Sequence, residues 1–332
     1  MSDSTQSARA SGSRLAHFPV AFFAMIMGLL GLSIAWDMAQ DAFGMALDMG
    51  GALRWFGLGL FVLILAMYLI KLVLFRDAVV KELQHPIQLN FFPTISISMI
   101  LLGIALLPPL PGLAMLFWAA GSALHLLLTL YVLSVWMHHD RFEINHINPA
   151  WFIPIVGNAL VPIAGVPLGY LELSWFFFSF AMLFWLILFT IIIYRVLFHQ
   201  PLPDRLMPTF FIMIAPPAVG FIAYVELAGL GGEQGLDGFA RVLYYGSLFL
   251  TLLLLTQVGR FVRLHYYISW WAYSFPLAAV TIATLIMFET TGLLGFAIIG
   301  WTLLSLVTLV VIFLLYRTAV AVGGRSICVP HL

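Results

Sequence analysis

The sequence predicts an all-α integral membrane protein, with ten transmembrane helices arranged as five hairpins in quasi-five-fold symmetry around a central pore. Three observations predict it. Of 332 residues, 63% are hydrophobic and only 8% are charged, where a soluble domain carries about 25% charged residues. Ten apolar stretches each come near the ~20 residues that a helix needs to cross the hydrocarbon core. A proline recurs in every second stretch. The runs are too long for barrel strands, which would show ~10-residue alternation.

Taken in order, residues 1–17 are polar, Ser-rich and carry Arg9 and Arg14; they are expected to form a disordered cytoplasmic tail before an uncleaved first helix. The expected spans are 18–37, 53–75, 90–107, 113–137, 149–168, 173–198, 207–228, 239–262, 268–288 and 293–317, which together make one transmembrane channel domain, 18–317. Polar or Pro/Gly-rich separators divide them: RDAVVKELQHP (76–86), PPLPG (108–112), HHDRFEINHIN (138–148), HQPLPDR (199–205) and GLGGEQGLDG (229–238). Residues 318–332 are expected to be a short cytoplasmic tail.

Ten spans place both termini on one side, together with Arg9, Arg14, Lys71, Arg76, Lys81, Arg141, Arg195, Arg205, Arg260, Arg263, Arg317 and Arg325; only Arg54 and Arg241 fall on the other. Twelve basic residues against two assign the termini to the cytoplasm by the positive-inside rule, in a multi-pass cell (inner) membrane protein. The 14 basic and 14 acidic residues balance, so no net charge is available to collect nucleic acid. The lone cysteine, Cys328, excludes a disulfide or a cysteine metal site within one chain.

The recurring prolines are Pro19, Pro93, Pro154, Pro216 with Pro217, and Pro276, at separations of 74, 61, 62 and 60 residues. Each removes a backbone donor, which is tolerable at membrane depth only where protein or water satisfies the freed group. The odd-numbered helices are therefore expected inside and the even ones against lipid. Five inner helices that all start on the basic side point their N-terminal partial charges the same way. Both features attract anions to that mouth. The alternatives are prolines that merely kink packed helices, and basic loops that reflect topology alone.

The candidate lining is Phe18, Phe92 and Phe152, which precede or lie close to the prolines, with Ala278, Ala279 and Ile282 in the ninth helix. Phe275 is the candidate pore gate: a phenyl ring in a narrow uncharged pore blocks hydrated ions, and small Ala278 and Ala279 leave it room to swing. A phenylalanine packed against lipid or protein is the other reading. His125 in the fourth helix is the one clear mid-span titratable group, expected to be neutral and bonded to a neighbouring helix, with a proton relay as the alternative. No cofactor or metal is expected. The cluster His138, His139, Asp140, Glu143 and His146 offers too few fixed ligands for a membrane enzyme.

Four motifs carry a family resemblance: HFPVAFFAMIMGLLGLSIAW (17–36), HINPAWFIPIVGNALVP (146–162), MPTFFIMIAPPAVGFIAY (207–224) and SWWAYSFPLAAVTIATL (269–285). They resemble the slow-type anion channel and tellurite-resistance/C4-dicarboxylate transporter family over roughly 17–318. The resemblance implies five hairpins around a pore lined by the odd helices, a homotrimer with one pore per subunit, and a gating phenylalanine at the position of Phe275. It implies a channel for small anions; the alternative is a proton-coupled exporter of C4-dicarboxylates or of oxyanions such as tellurite or sulfite.

Overall fold

A computed structural model describes residues 13–138, 142–231, 235–324 and 327–328. The tail expected at 1–17 falls outside the described residues up to residue 12, as do Arg9, His139, Asp140, Arg141, Arg325 and the last four positions. All the regular secondary structure among the described residues is helical, without strands. Nine helices among them are long and apolar enough to cross a membrane: α1 (Val20–Phe43), α2 (Met49–Leu74), α4 (Gln88–Leu106), α5 (Pro111–His138), α7 (Leu171–Phe198), α8 (Met207–Ala228), α9 (Gly238–Leu255), α10 (Ile268–Thr291) and α11 (Leu294–Gly323). Among the shorter helices are α3 (Arg76–Gln84) and the apolar α6 (Pro149–Gly165).

Local chemistry sets the boundaries. Helix α1 continues past the expected residue 37 and stops at Gly44, whose positive φ of 62° closes the helix, a conformation cheap only for glycine. Asp48 then caps α2 by accepting from Gly51 N at 2.9 Å, four residues before the expected start. Asp37, now inside α1, is held by the Arg54 guanidinium of α2. The segment expected as the first separator is largely helix α3, which buries Val79. The last helix runs beyond residue 317 through the small apolar TAVAVG stretch to Gly323.

The fifth expected span is the one that departs from a regular helix. Within α6, 3-10 turns at Pro149–Phe152 and Gly157–Leu160 alternate with α-helical turns at Ile153–Val156 and Val161–Gly165. Prolines at 149, 154 and 162 remove three donors, so the i to i−4 ladder cannot be continuous. Side chains from α5 and α6 take up exposed carbonyls. Thr129 Oγ1 donates to Pro154 O at 2.7 Å, and Trp118 Nε1 donates to Val161 O at 2.9 Å. Asn158 Nδ2 donates to Pro154 O and Ile155 O at 2.9 and 3.0 Å. With 3-10 turns rising about 2.0 Å per residue and α turns about 1.5 Å, α6 is about 30 Å long.

Burial divides the helices into two layers. In α1, α4, α8 and α10, 72–83% of the most apolar window is buried, against 28–39% in α2, α5, α7, α9 and α11. Among the buried helices α1 touches α4 and α10, α4 touches α6, α6 touches α8, and α8 touches α10. Each exposed helix packs on the buried one beside it in sequence: α2 on α1, α5 on α4, α7 on α6, α9 on α8 and α11 on α10. Close approach depends on glycine. A Cβ on Gly103 would meet the Trp118 backbone N at 2.9 Å, and one on Gly31 would meet Phe275 Cδ2 and Ala278 Cβ at 3.1 Å.

Candidate functional site

Each of the five buried segments begins with, or follows, a tight 3-10 turn: Val20–Phe22, Gln88–Phe91, Pro149–Phe152, Met207–Ile214 and Ile268–Tyr273. These turns and the first helical turns after them enclose a single cavity of 1390 Å³. Pro19, Phe91, Phe152, Ile212 and Phe275 line it, one from each of α1's lead-in, α4, α6, α8 and α10. Farther along the same segments the wall ends at Met27, Ile97, Leu160, Val219 and Pro276. Thr94 is the polar side chain of this deeper wall, and its hydroxyl donates to Phe91 O.

The opposite end is charged. Arg76, Lys81, Arg205, His17 and His85 line the cavity with Asp77 and Glu82. Among the described residues Arg76, Lys81 and Arg205 have no carboxylate within salt-bridge distance, whereas Glu82 is engaged: Lys71 Nζ lies 2.9 Å from Glu82 Oε1. Tyr68 OH donates to Glu82 Oε2 at 2.8 Å, and Lys71 Nζ also donates to Phe18 O at 2.8 Å. With Glu82 neutralised, the rim is net positive. His85 accepts from Ile87 N and Gln88 N through Nδ1; burial, then the nearby Arg205 and His146, push its pKa down, so it is neutral at pH 7.

Phe275 is 9% exposed and lines the cavity, its ring lying against Gly31 of α1. Phe152 lines it as well. Phe18 stacks on Phe22 with ring centroids 4.5 Å apart, and it is Phe22 that reaches the wall. Phe92 packs edge-on against Tyr68 at 6.3 Å while its neighbour Phe91 faces the cavity. Ala278, Ala279 and Ile282 are buried in α10, beyond the end of the lined region. Of the prolines, Pro19 and Pro276 line the cavity; Pro93, Pro154, Pro216 and Pro217 are in the packed helices behind. Sequence reasoning did not single out Phe22 or Phe91, and it counted Arg76 and Lys81 on the basic side without placing them on a helix at the rim.

His125 on α5 is fully buried, with Nδ1 2.8 Å from Ser96 Oγ of α4. Glu143 and His146 pair within their own loop, Glu143 N donating to His146 Nδ1 at 3.1 Å. Among the described residues no group of three His, Cys, Asp or Glu side chains is placed to hold a metal.

The family model for SLAC1, voltage-dependent anion channel, matches residues 17–319. The chain is 30% identical over 281 residues to the S-type anion channel SLAH2 of Arabidopsis thaliana, covering 82% of this chain and 53% of that one. It is 28% identical over 316 residues to the S-type anion channel SLAH3 of the same plant, at 92% and 48% coverage. To the tellurite resistance protein TehA homolog of Haemophilus influenzae it is 27% identical over 302 residues, covering 90% of each. The chain thus spans about half the length of the two plant channels.

Proposed function

The chain belongs to the voltage-dependent anion channel family and is a multi-span membrane anion channel or transporter, and from that premise we propose that it passes small anions through the space between its five buried helices, with Phe275 as the gate. One observation carries the reading. A single cavity takes lining from the start of all five proline-bearing segments, has Arg76, Lys81 and Arg205 at its rim, without a salt-bridge partner among the described residues, and reaches Phe275.

In this reading α6 is the tenth crossing, its 3-10 turns supplying length that its residue count lacks. The ten crossings form five hairpins, α1–α2, α4–α5, α6–α7, α8–α9 and α10–α11, in a quasi-five-fold arrangement within one channel domain. The basic rim and both termini face the cytoplasm of a cell membrane. Three subunits assemble, each with its own path. Anions collect at the rim because net positive charge in a low-dielectric mouth raises their local concentration. The deep wall is apolar, so a ring across it excludes water and hydrated ions by sterics and dewetting. Around Phe275 the wall takes Phe22, Phe91 and Phe152, with Phe18 and Phe92 packed behind the first two, and Ala278, Ala279 and Ile282 lie farther along α10, beyond the cavity. The ring rests on Gly31, where no side chain blocks its movement.

The test is anion current in planar bilayers from the purified protein and from Phe275→Ala. Removing the ring is expected to raise conductance at least about tenfold, the equivalent of 1.4 kcal/mol off the barrier, with anion selectivity retained. Unchanged or lower conductance at equal reconstitution overturns the gate assignment. A reversal potential that shifts with a proton gradient would show coupled export instead of a channel.

A further inference from the structure

We propose that His85 and Gln88 form an uncharged anion-coordination site where the charged rim gives way to the apolar wall, and that these donors set which anions pass from the rim into the path. The inference rests on the conduction path proposed above. An anion that sheds water in an apolar passage needs N–H or O–H groups in exchange. The hydroxyls of the buried helices are committed to their own backbones: Ser98 donates to Thr94 O, Ser274 to Trp271 O and Thr281 to Leu277 O. Thr94, in the deeper wall, donates to Phe91 O. Lys81 and Arg205 draw an anion to the mouth, but a site that binds too tightly also keeps the ion from leaving.

The lining that runs inward from α3 changes character in order. Arg76 and Lys81 come first, then His85 and Gln88, then Phe91. His85 is fixed from several sides. Its N donates to Glu82 O at 3.2 Å, its O accepts from Leu89 N at 3.0 Å, and its Nδ1 accepts from Ile87 N and Gln88 N at 3.1 and 3.3 Å. An imidazole nitrogen that accepts carries no proton, so the neutral ring has its proton on Nε2. Among the described residues Nε2 has no partner, and it is not a buried atom. With Nδ1 turned to the backbone, the edge left for the cavity is the N–H edge.

Gln88 is tied to this ring through its own backbone N. Its carboxamide lines the cavity too and makes no hydrogen bond among the described residues, which leaves its N–H groups free to donate. The two side chains therefore come from one tight turn, 85–88. Both are uncharged at pH 7, His85 because burial and then the neighbouring Arg205 depress its basicity. Neutral donors replace water without trapping the ion, the property needed between a basic mouth and an apolar wall.

The test separates the donor from the scaffold. Asparagine at position 85 keeps an acceptor for the Ile87 and Gln88 amides, as in an Asx-turn, but its own amide stops short of Nε2; alanine lacks both. Gln88→Met keeps the length and removes the amide. Chloride and thiocyanate permeabilities are compared from reversal potentials, in the parent and on the Phe275→Ala background. His85→Asn, His85→Ala and Gln88→Met are each expected to lower chloride permeability relative to weakly hydrated thiocyanate by about tenfold, the scale of one hydrogen bond to a charged group. A purely structural imidazole predicts the parental ratio in His85→Asn and a change in His85→Ala alone. That result, or parental ratios in all three variants in protein that elutes as one species, overturns the proposal. If His85→Ala does not fold, the Asn and Met variants decide it. Absence of anion current on both backgrounds overturns the path and this site with it, whereas current with unaltered ratios overturns the site only.

Discussion

Lys71 is the residue whose removal most directly couples the stability of the fold to the charge of the cavity rim. Its side chain is 1% exposed and its partner Glu82 13%, so both charges are out of bulk water. At 2.9 Å and an effective dielectric constant of about 20, their attraction is about 6 kcal/mol before desolvation. Lys71→Met leaves the Glu82 carboxylate buried with the Tyr68 hydroxyl alone, and breaking one side of a buried pair costs about 3–5 kcal/mol. Lys71→Met with Glu82→Gln is expected to recover about half of that, because no unpaired charge remains. The assay is a double-mutant cycle on thermal unfolding in detergent, alongside anion conductance. Lys71→Met also exposes the cavity wall to an uncompensated negative charge. At ~8 Å and a dielectric constant of ~20 this opposes an anion by about 2 kcal/mol, roughly halved by salt screening, so conductance is expected to fall about fivefold and to return in the double variant. Additive losses within about 0.5 kcal/mol would show the two groups to be independent and would refute the argument.

Two further outcomes follow from packing and titration. Gly28→Ala is expected to destabilise the chain by about 1–3 kcal/mol, because the new Cβ would overlap Ser274 Oγ and lie 2.7 Å from Ser274 Cβ; Ser274→Gly in the same chain should restore the melting midpoint, and a Gly28→Ala midpoint equal to the parent's contradicts the close α1–α10 contact. His85 has a folded pKa below its unfolded value of about 6.5. Its contribution to stability is therefore complete above about pH 6.5 and is lost as pH falls toward the folded value. Midpoints measured from pH 7.5 to 5.5 should decline less in His85→Asn than in the parent, and parallel curves would remove His85 from the account.

The crossing helices were legible because lipid leaves the backbone few choices. A long apolar run must be helical, and the prolines mark the buried helices because kinked backbone needs protein around it. Three features escaped. Helix α3 has nine residues with charges on its exposed face, a pattern too short to separate from a loop. Regular α periodicity was assumed for α6, whereas Pro149 and Pro162 act together with Pro154 to break it. The choice between neighbouring phenylalanines was also hidden. Residues advance 120° each in a 3-10 turn and about 100° in an α turn, so a face drifts by about 80° over four residues. That is nearly one position, the offset between Phe92 and the lining Phe91; at α1 the lining ring is Phe22, one turn beyond Phe18.

The distribution of charge gives the polarity of the path a structural cause beyond topology. Helices α1, α4, α6, α8 and α10 all start at the end where Arg76, Lys81 and Arg205 stand, and their N-terminal partial charges add to the side chains there. Acidic residues without nearby basic excess mark the other ends of three of them: Asp41 near the close of α1, Glu226 at that of α8 and Glu289 at that of α10. Reversing the side chains alone, for example with Arg205→Glu, leaves five helix termini still favouring anions. A selectivity set by the rim would be lost in such a variant, whose rim is neutral, whereas one set by the helices would keep its sign and lose only rate.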